Sequence, residues 1–328
     1  MPDKDMLFKE AVIMAMGEEM RRDENVFLIG EDVGASGGVF KSSEGLFDEF
    51  GSERVVDTPI SEAGYVGLCV GAAMTGLRPI GDVMFGDFAF LATDQIINQA
   101  AKIRYMTGGQ CDVCLTIKTT MGAGRSSAAQ HSQSLHAVYA HIPGLKVAVP
   151  SCPRDAKGLL KTAIRDDNPV IVFEDKMMYN DTGPVPTEED FAIPFGEAAV
   201  LREGSDVTIV AISSMVGVAL KAAEILSGEG IEAEVVDPRT LVPLDTETLL
   251  ESVRKTGYAV VVDEGVQRFG ATGEIASVLT HDAFDYLDAP VARIGAAEVP
   301  VPFSPTLEFP TIPDEERVVQ TVRSLRSD

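Results

Sequence analysis

Histidine is the side chain that exchanges protons most readily near neutral pH, and this chain has few of them. Three of the four, His131, His136 and His141, share one stretch, and His281 stands apart. The i, i+5, i+10 spacing turns the three toward different faces of a helix, so they do not form a two-histidine metal pair. His131 lies in the polar loop TMGAGRSSAAQHSQS, just ahead of an expected helix. In a doubly wound fold such loops line the crevice at the strand ends. An imidazole there can act as a general acid or base, or it can be a surface side chain, and spacing alone leaves both open. His136 and His141 read as packing or surface residues.

Glu62 is the second candidate. It is the one carboxylate in TPISEAGYVGLCVGAAMTG, at the start of a helix of small residues. Gly64, Gly67, Gly71, Ala72, Ala73 and Gly76 allow close backbone approach, so a buried helix at a subunit contact is expected. A carboxylate in a first turn is favoured by the helix dipole, and it is equally placed to meet a ligand. Cys111 and Cys114 make a single C-x-x-C inside the strand-like run DVCLTIKT. With no second pair, buried or half-buried thiols are expected rather than zinc or a disulfide scaffold. Neither GASGG (34–38) nor GAGRSS completes a G-x-G-x-x-G, and G-x-x-x-x-G-K-[ST] and G-x-S-x-G are both absent.

The elements that must position these residues alternate. Helices are expected over 5–21, 60–77, 89–107, near 134–141 and from Pro153, with a short one in EGLFDEFG. Strands are expected at NVFLIG (25–30), RVVD (54–57), RPIGDVMF, DVCLTIKT, LKVAVP and PVIVFE (169–174). Several are continuous Val/Ile runs, the mark of a buried parallel sheet. Residues 175–204 are polar and proline-containing and read as a linker or long excursion. A second series follows, with strands at 206–212, 232–237, 258–264 and 290–295 and helices at 215–228, 245–256, 271–280 and 314–326. The expected class is α/β with two doubly wound domains, which suits 328 residues.

Composition narrows the partners. With 27 Lys and Arg against 51 Asp and Glu, the net charge is −24, a surface that repels phosphates. Nucleic acid and anionic membranes are poor partners for it. The acidity fits either adaptation to high salt or ordinary solvated surface. No apolar run approaches a membrane span, and the N-terminus MPDKDMLFKEA lacks a signal pattern. A soluble, cytoplasmic protein is expected.

Eight segments carry a family resemblance. DTPISEAG (57–64), GAAMTGLRPI (71–80), DQIINQAAK (94–102), AAQHSQS (128–134), HIPGLKV (141–147), DAKGLLK (155–161), RDDNPV (165–170) and VDPRTLVPLD (236–245) resemble the β subunit of the thiamine-diphosphate-dependent first component of 2-oxoacid dehydrogenase complexes. Within that family GAGRSSAAQHSQSLH and FEDKMMYN look most like the acetoin dehydrogenase members, with the pyruvate and branched-chain members close behind. The resemblance implies a pyrimidine-binding domain over 1–180, a linker over 181–203 and a transketolase-like C-terminal domain over 204–328. It implies an α2β2 assembly with an α subunit that carries the Mg²⁺ and diphosphate motif. This chain has only GDV at 81–83 and GDF at 86–88, neither with that motif.

Carried over residue by residue, Glu62 matches the carboxyl that hydrogen-bonds N1′ of the aminopyrimidine and shares a proton with it. Phe88 matches the aromatic residue against the pyrimidine, and Glu31 and Ile60 match residues lining the same pocket. His131 matches the histidine that handles protons during substrate breakdown or acyl transfer. Leu115, Thr116, Ala163, Asp166 and Asn168 match ligands of a structural K⁺ in some relatives. DEGVQRFGATGEI (263–275) departs from both the acetoin and the pyruvate patterns. The implied activity is cleavage of acetoin, or decarboxylation of a 2-oxoacid, with acyl transfer to the lipoyl domain of a dihydrolipoyl acyltransferase core. A non-catalytic assembly subunit is the alternative, and retention of Glu62, Phe88 and His131 argues against it.

Overall fold

A computed structural model describes residues 3–327. In chain order its principal elements are β1 (Lys4–Leu7), α1 (Phe8–Arg22), β2 (Val26–Gly30), α2 (Leu46–Phe50), β3 (Val55–Asp57), α3 (Glu62–Met74) and β4 (Arg78–Val83). Then come α4 (Ala101–Met106), β5 (Thr116–Met121), α5 (His136–Ala140), β6 (Lys146–Ala148), α6 (Pro153–Arg165), β7 (Val170–Asp175) and β8 (Thr182–Val185). The remainder is β9 (Ala199–Arg202), β10 (Val207–Ala211), α7 (Met215–Ser227), β11 (Ala233–Asp237), β12 (Thr240–Val242), α8 (Thr246–Thr256), β13 (Ala259–Val266), α9 (Ala271–Asp282), β14 (Ala292–Ala296), α10 (Pro305–Glu308) and α11 (Glu315–Ser327). The chain forms two compact units: Met1–Met121 with Val138–Phe195, and Gly122–Ala137 with Gly196–Asp328.

In the first unit six strands run parallel in the order β6-β7-β5-β4-β2-β3. Continuous burial along β5 and β7 reflects a sheet covered on both faces. The chain crosses from β2 to β3 on one side and then to β4 on the other. The β2/β4 boundary is therefore the topological switch point, where ligands settle in open α/β sheets. Helices α1 and α6 pack on the sheet around Phe8, Val12, Met16, Leu159 and Leu160.

Four expectations are corrected here. The helix expected from residue 5 begins at Phe8, because Lys4–Leu7 pair antiparallel with Thr182–Val185. That pairing, and β9 on β11, puts strands within the expected linker 181–203. The helix expected over 89–107 is three pieces: a 3₁₀ turn Gly86–Ala92, a π-helical turn Asp94–Ala100 and α4. Thr93 Oγ1 donates to the Phe90 carbonyl at 2.7 Å, the kind of local bond that competes with a regular helix. Finally β5 starts at Thr116, so Cys111 and Cys114 precede the strand; both are free, half-buried thiols.

The second unit has the order β14-β13-β10-β11-β9, parallel except for β9 at the edge. Its core joins Val207, Ile209, Val235, Val260 and Val262 to α7 and α11. Asp245 caps α8 by accepting from the Thr248 N–H, and Gly257 ends it in the left-handed region. From β10 the chain goes first to β11 and later returns to β13 on the other side, so the switch point here is β10/β13. Two doubly wound α/β units are the architecture expected from sequence. Among the described residues no helix is long and apolar enough to cross a membrane.

Candidate active site

The first unit gathers its predicted residues at the β2/β4 switch point. Glu31 follows β2 directly, Glu62 opens α3, and Phe88 lies in the 3₁₀ turn after β4. Glu31 and Glu62 are both buried, and their carboxylates are near enough to interact. Burial, and then the Glu62 charge, pushes the Glu31 carboxyl above the ordinary carboxylate range, against a bond accepted from the Ser61 N–H. Its Oε1 is buried with no hydrogen-bond partner. Ile60, in contrast, is 84% exposed although it is apolar. An orphaned carboxylate oxygen is costly unless something donates to it. Beside an exposed aliphatic side chain, it fits a flat ring with polar edges, as an aminopyrimidine has.

Phe88 is carried by an aromatic series. Its ring meets Phe85 edge-on at 5.5 Å, Phe85 meets Phe40 at 5.4 Å, and Phe40 stacks on Tyr179 at 5.4 Å. The far end is anchored by charges that sequence reasoning missed. The Tyr179 hydroxyl donates to Glu174 Oε2 at 2.5 Å, and Lys118 Nζ lies 3.1 Å from Asp82 Oδ2 and 3.5 Å from Glu174 Oε2. Burial pulls the Lys118 ammonium down, but Asp82 and Glu174 outweigh it and hold it above its ordinary value. The available signal was a charge inside each of three strands legible in the sequence: Asp82 in β4, Lys118 in β5 and Glu174 in β7. Tyr65, also unpredicted, donates to the Asp82 carbonyl at 3.4 Å beside the Glu31 and Glu62 charges.

The residues matched to a K⁺ site lie where α6 meets β7 and β5 begins. The Leu115 carbonyl accepts from the Val170 N–H at 2.9 Å, and Thr116 pairs with Val170. The Ala163 carbonyl accepts from the Asp166 N–H at 3.2 Å, and Arg78 Nη1 donates to the Asp166 carbonyl at 3.2 Å. Lys146 and Asn168 donate to the Asp166 carboxylate, and Arg104 donates to Asn168 Oδ1 at 2.9 Å. The side-chain oxygens of Asp166 and Asn168 are thus committed. What remains is the second lone pair of main-chain carbonyls, a donor set that fits a hard monovalent cation. Among the described residues no group of three or more His, Cys, Asp or Glu is placed to hold a metal.

His131 belongs to the second unit. It ends the 3₁₀ turn Ala129–His131 and is half-buried. His136, which sequence left as packing or surface, is fully buried, with Nε2 2.9 Å from Asp263 Oδ2. His141 and His281 are exposed.

Two domain families match the chain: the transketolase pyrimidine-binding domain over residues 4–182 and the transketolase C-terminal domain over residues 196–318. The chain is 50% identical over 328 residues to the acetoin:2,6-dichlorophenolindophenol oxidoreductase subunit beta of Bacillus subtilis, covering 96% of each. It is 48% identical over 317 residues to the pyruvate dehydrogenase E1 component subunit beta of Rickettsia felis, covering 97% of each. The chain belongs to the family of dehydrogenase-complex E1 β subunits. Among solved structures, a split-gene transketolase described as an inactive β4 tetramer matches with a TM-score of 0.80. It is 27% identical, with 98% of each chain covered. E1 β subunits are thiamine-dependent and work with an α subunit and an acyltransferase core.

Proposed function

We propose that this E1 β subunit serves an enzyme that cleaves acetoin and passes the acetyl unit to lipoyl groups of a dihydrolipoyl acyltransferase core. The observation that carries the cofactor half of the reading is the buried Glu31/Glu62 pair, with one oxygen left without a donor. The substrate half rests on the acetoin-like loop GAGRSSAAQHSQSLH and the segment FEDKMMYN. Pyruvate or branched-chain 2-oxoacid decarboxylation is the second reading, favoured by the 48% identity to a pyruvate dehydrogenase subunit.

Thiamine diphosphate, when bound, supplies a carbon nucleophile able to attack a carbonyl and hold the resulting negative charge. In this reading Glu62 shares a proton with the N1′ edge of the pyrimidine. Glu31 keeps a second carboxyl in the same pocket, with Oε1 left to accept from a donor on the ring. Phe88 would pack on the ring, and Ile60 would line the same pocket. His131 moves protons on the reacting fragment. The diphosphate and Mg²⁺ belong to the α subunit of an α2β2 assembly, and the carbonyls of Leu115, Ala163, Asp166 and Asn168, beside Thr116, hold K⁺. The exposed small-residue face of α3, with Ala63, Gly64, Leu68 and Gly71, suits close contact with another chain. The assembly is cytoplasmic.

Product analysis of the co-purified αβ complex tests this reading. Acetaldehyde from acetoin, with acetylation of a lipoyl domain, is expected. CO₂ release from pyruvate or a branched 2-oxoacid at higher kcat/KM would move the chain to the second reading. No thiamine-dependent product from any of the three would leave a non-catalytic assembly role.

A further inference from the structure

The segment that carries His131 has a backbone that does not hold itself. Gly122 and Gly124 have φ of +94° and +97°, and the non-glycine Ser126 and Ala128 have φ of +52° and +61°. Such conformations persist only when the surroundings fix them. Three buried carboxylates of the same unit bond to the segment. Glu308, with no exposed surface, accepts from the Gly124 N–H through Oε1 at 2.7 Å. Its Oε2 accepts from the Ser126 N–H at 2.8 Å and lies 3.4 Å from Ser126 Oγ. Glu264 Oε1 accepts from the Ala123 N–H at 2.6 Å, and its Oε2 accepts from Ser214 Oγ at 3.2 Å. At the far end Asp263 holds His136.

The Glu264 and Asp263 contacts fall at the β10/β13 switch point. Asp263 and Glu264 come from the C-terminal part of β13, and Ser214 follows β10. In a doubly wound unit this crevice ordinarily receives a ligand. Here the chain's own segment bonds to the strand end at both of its ends, through Ala123 and His136. The two acidic neighbours take opposite ends of the segment, as alternating side chains of a strand allow. Gly265 packs behind them: a Cβ there would lie 2.7 Å from Asp263 Oδ2 and 3.4 Å from His136 Cε1. Charge-assisted bonds from main-chain N–H groups to carboxylates are short and directional, suited to fixing a loop rather than merely covering it.

We propose that Glu308, Glu264 and Asp263 are positioning residues that hold His131 in one working conformation. This inference rests on the proton-handling reading of His131. The test uses the full chain assembled with its α subunit, comparing Glu308→Ala, Glu308→Gln and wild type. Hydrogen–deuterium exchange should show loss of protection over residues 123–131 in Glu308→Ala, with β10 and β13 unchanged. The His131 Cε1–H resonance, assigned by its disappearance in His131→Ala, should be single in wild type and broadened or split in Glu308→Ala. In turnover, kcat for acyl transfer should fall by up to about 10²-fold, the usual effect of a misplaced group, with KM and thiazolium-proton exchange unchanged. Glu308→Gln, which keeps one acceptor, should fall between; it also serves as the folded variant if Glu308→Ala does not assemble. Unchanged exchange and an unchanged His131 resonance would overturn the proposal, as would a freed loop with wild-type kcat. The exchange and resonance readouts need no substrate, so they decide the carboxylates' role even if wild type turned over none of the three substrates. That last result would count against the functional reading instead.

Discussion

The two units use the same architectural position in opposite ways. Both are doubly wound, and both concentrate polar groups where the strand order reverses. At β2/β4 the first unit leaves Glu31 Oε1 buried and without a donor, beside an exposed Ile60. In the second unit the segment carrying His131 donates its own N–H groups to Glu264, at the end of β13, and to Glu308. An orphaned oxygen alone does not draw the line, since Asp263 Oδ1 and Glu174 Oε1 are also buried without partners. What differs is the use of main-chain N–H groups: in the second unit a strained segment donates to Glu264 and Glu308, and no such segment donates to Glu31 Oε1. That distinction separates a residue expected to touch cofactor from residues that place another residue.

The sharpest break of this comparison is kinetic. Glu62→Gln keeps shape but cannot share a proton in the same way, so thiazolium-proton exchange in the assembled enzyme should fall by roughly 10²–10⁴. His131→Ala should leave that exchange intact and lower lipoyl acylation by a similar roughly 10²–10⁴. If both variants slowed the same step, the two switch points would not divide the work. The folding free energy of His131→Ala should change little, since His131 is only half-buried. His136 is not a neutral control. Its ring is fully buried against Asp263, and His136→Ala should both destabilise the protein and loosen the His131 segment.

The next effect is on stability. Below the open switch point Asp82, Lys118 and Glu174 are nearly inaccessible and form one buried charge cluster, with Glu174 Oε1 left without a partner. Lys118→Met would leave two buried carboxylates without their cation, a loss of about 3–5 kcal/mol. Urea unfolding followed by circular dichroism would measure it. A loss under about 1 kcal/mol, the usual worth of an exposed pair, would mean that water reaches the cluster. The aromatic series from Tyr179 to Phe88 would then lack the rigid base assigned to it here.

How much of this could be read in the sequence differs between the units for a physical reason. Strand and helix order follow from local patterning, so the alternation over 25–174 and 206–326 was legible. Glu62 stood out because it is the lone charge in a helix of small residues, and His131 because it sits in a Gly/Ser loop. The helix expected over 89–107 failed because hydrophobic spacing does not separate 3₁₀, π and α turns when Thr93 bonds locally. Lys4–Leu7 were missed because their partner strand lies about 180 residues away in sequence. Glu308 and Glu264 were invisible for the same reason. Among 51 acidic residues nothing local marks the two whose oxygens reach residues 123–126.

The smallest expected effect tests the open switch point most directly. Glu31 has a carboxyl pKa raised in the folded protein by burial and by the Glu62 charge. A raised pKa means that folding favours the protonated form, so its stabilising contribution is present below the ordinary carboxylate range. It is lost as pH rises through the folded value. Glu31→Gln fixes a neutral, donating group at that place. At low pH, where both side chains are neutral, the two proteins should melt together. As pH rises past the folded value, the variant should become the more stable of the two. The gap should not exceed about 2–4 °C, the Tm shift that 1 kcal/mol produces in a domain of this size. Calorimetry across a pH series on the chain without cofactor would read it. Parallel melting curves at every pH would mean that Glu31 ionises as freely folded as unfolded. In that case its oxygen would already be solvated, and nothing would reserve it for a ligand's donor.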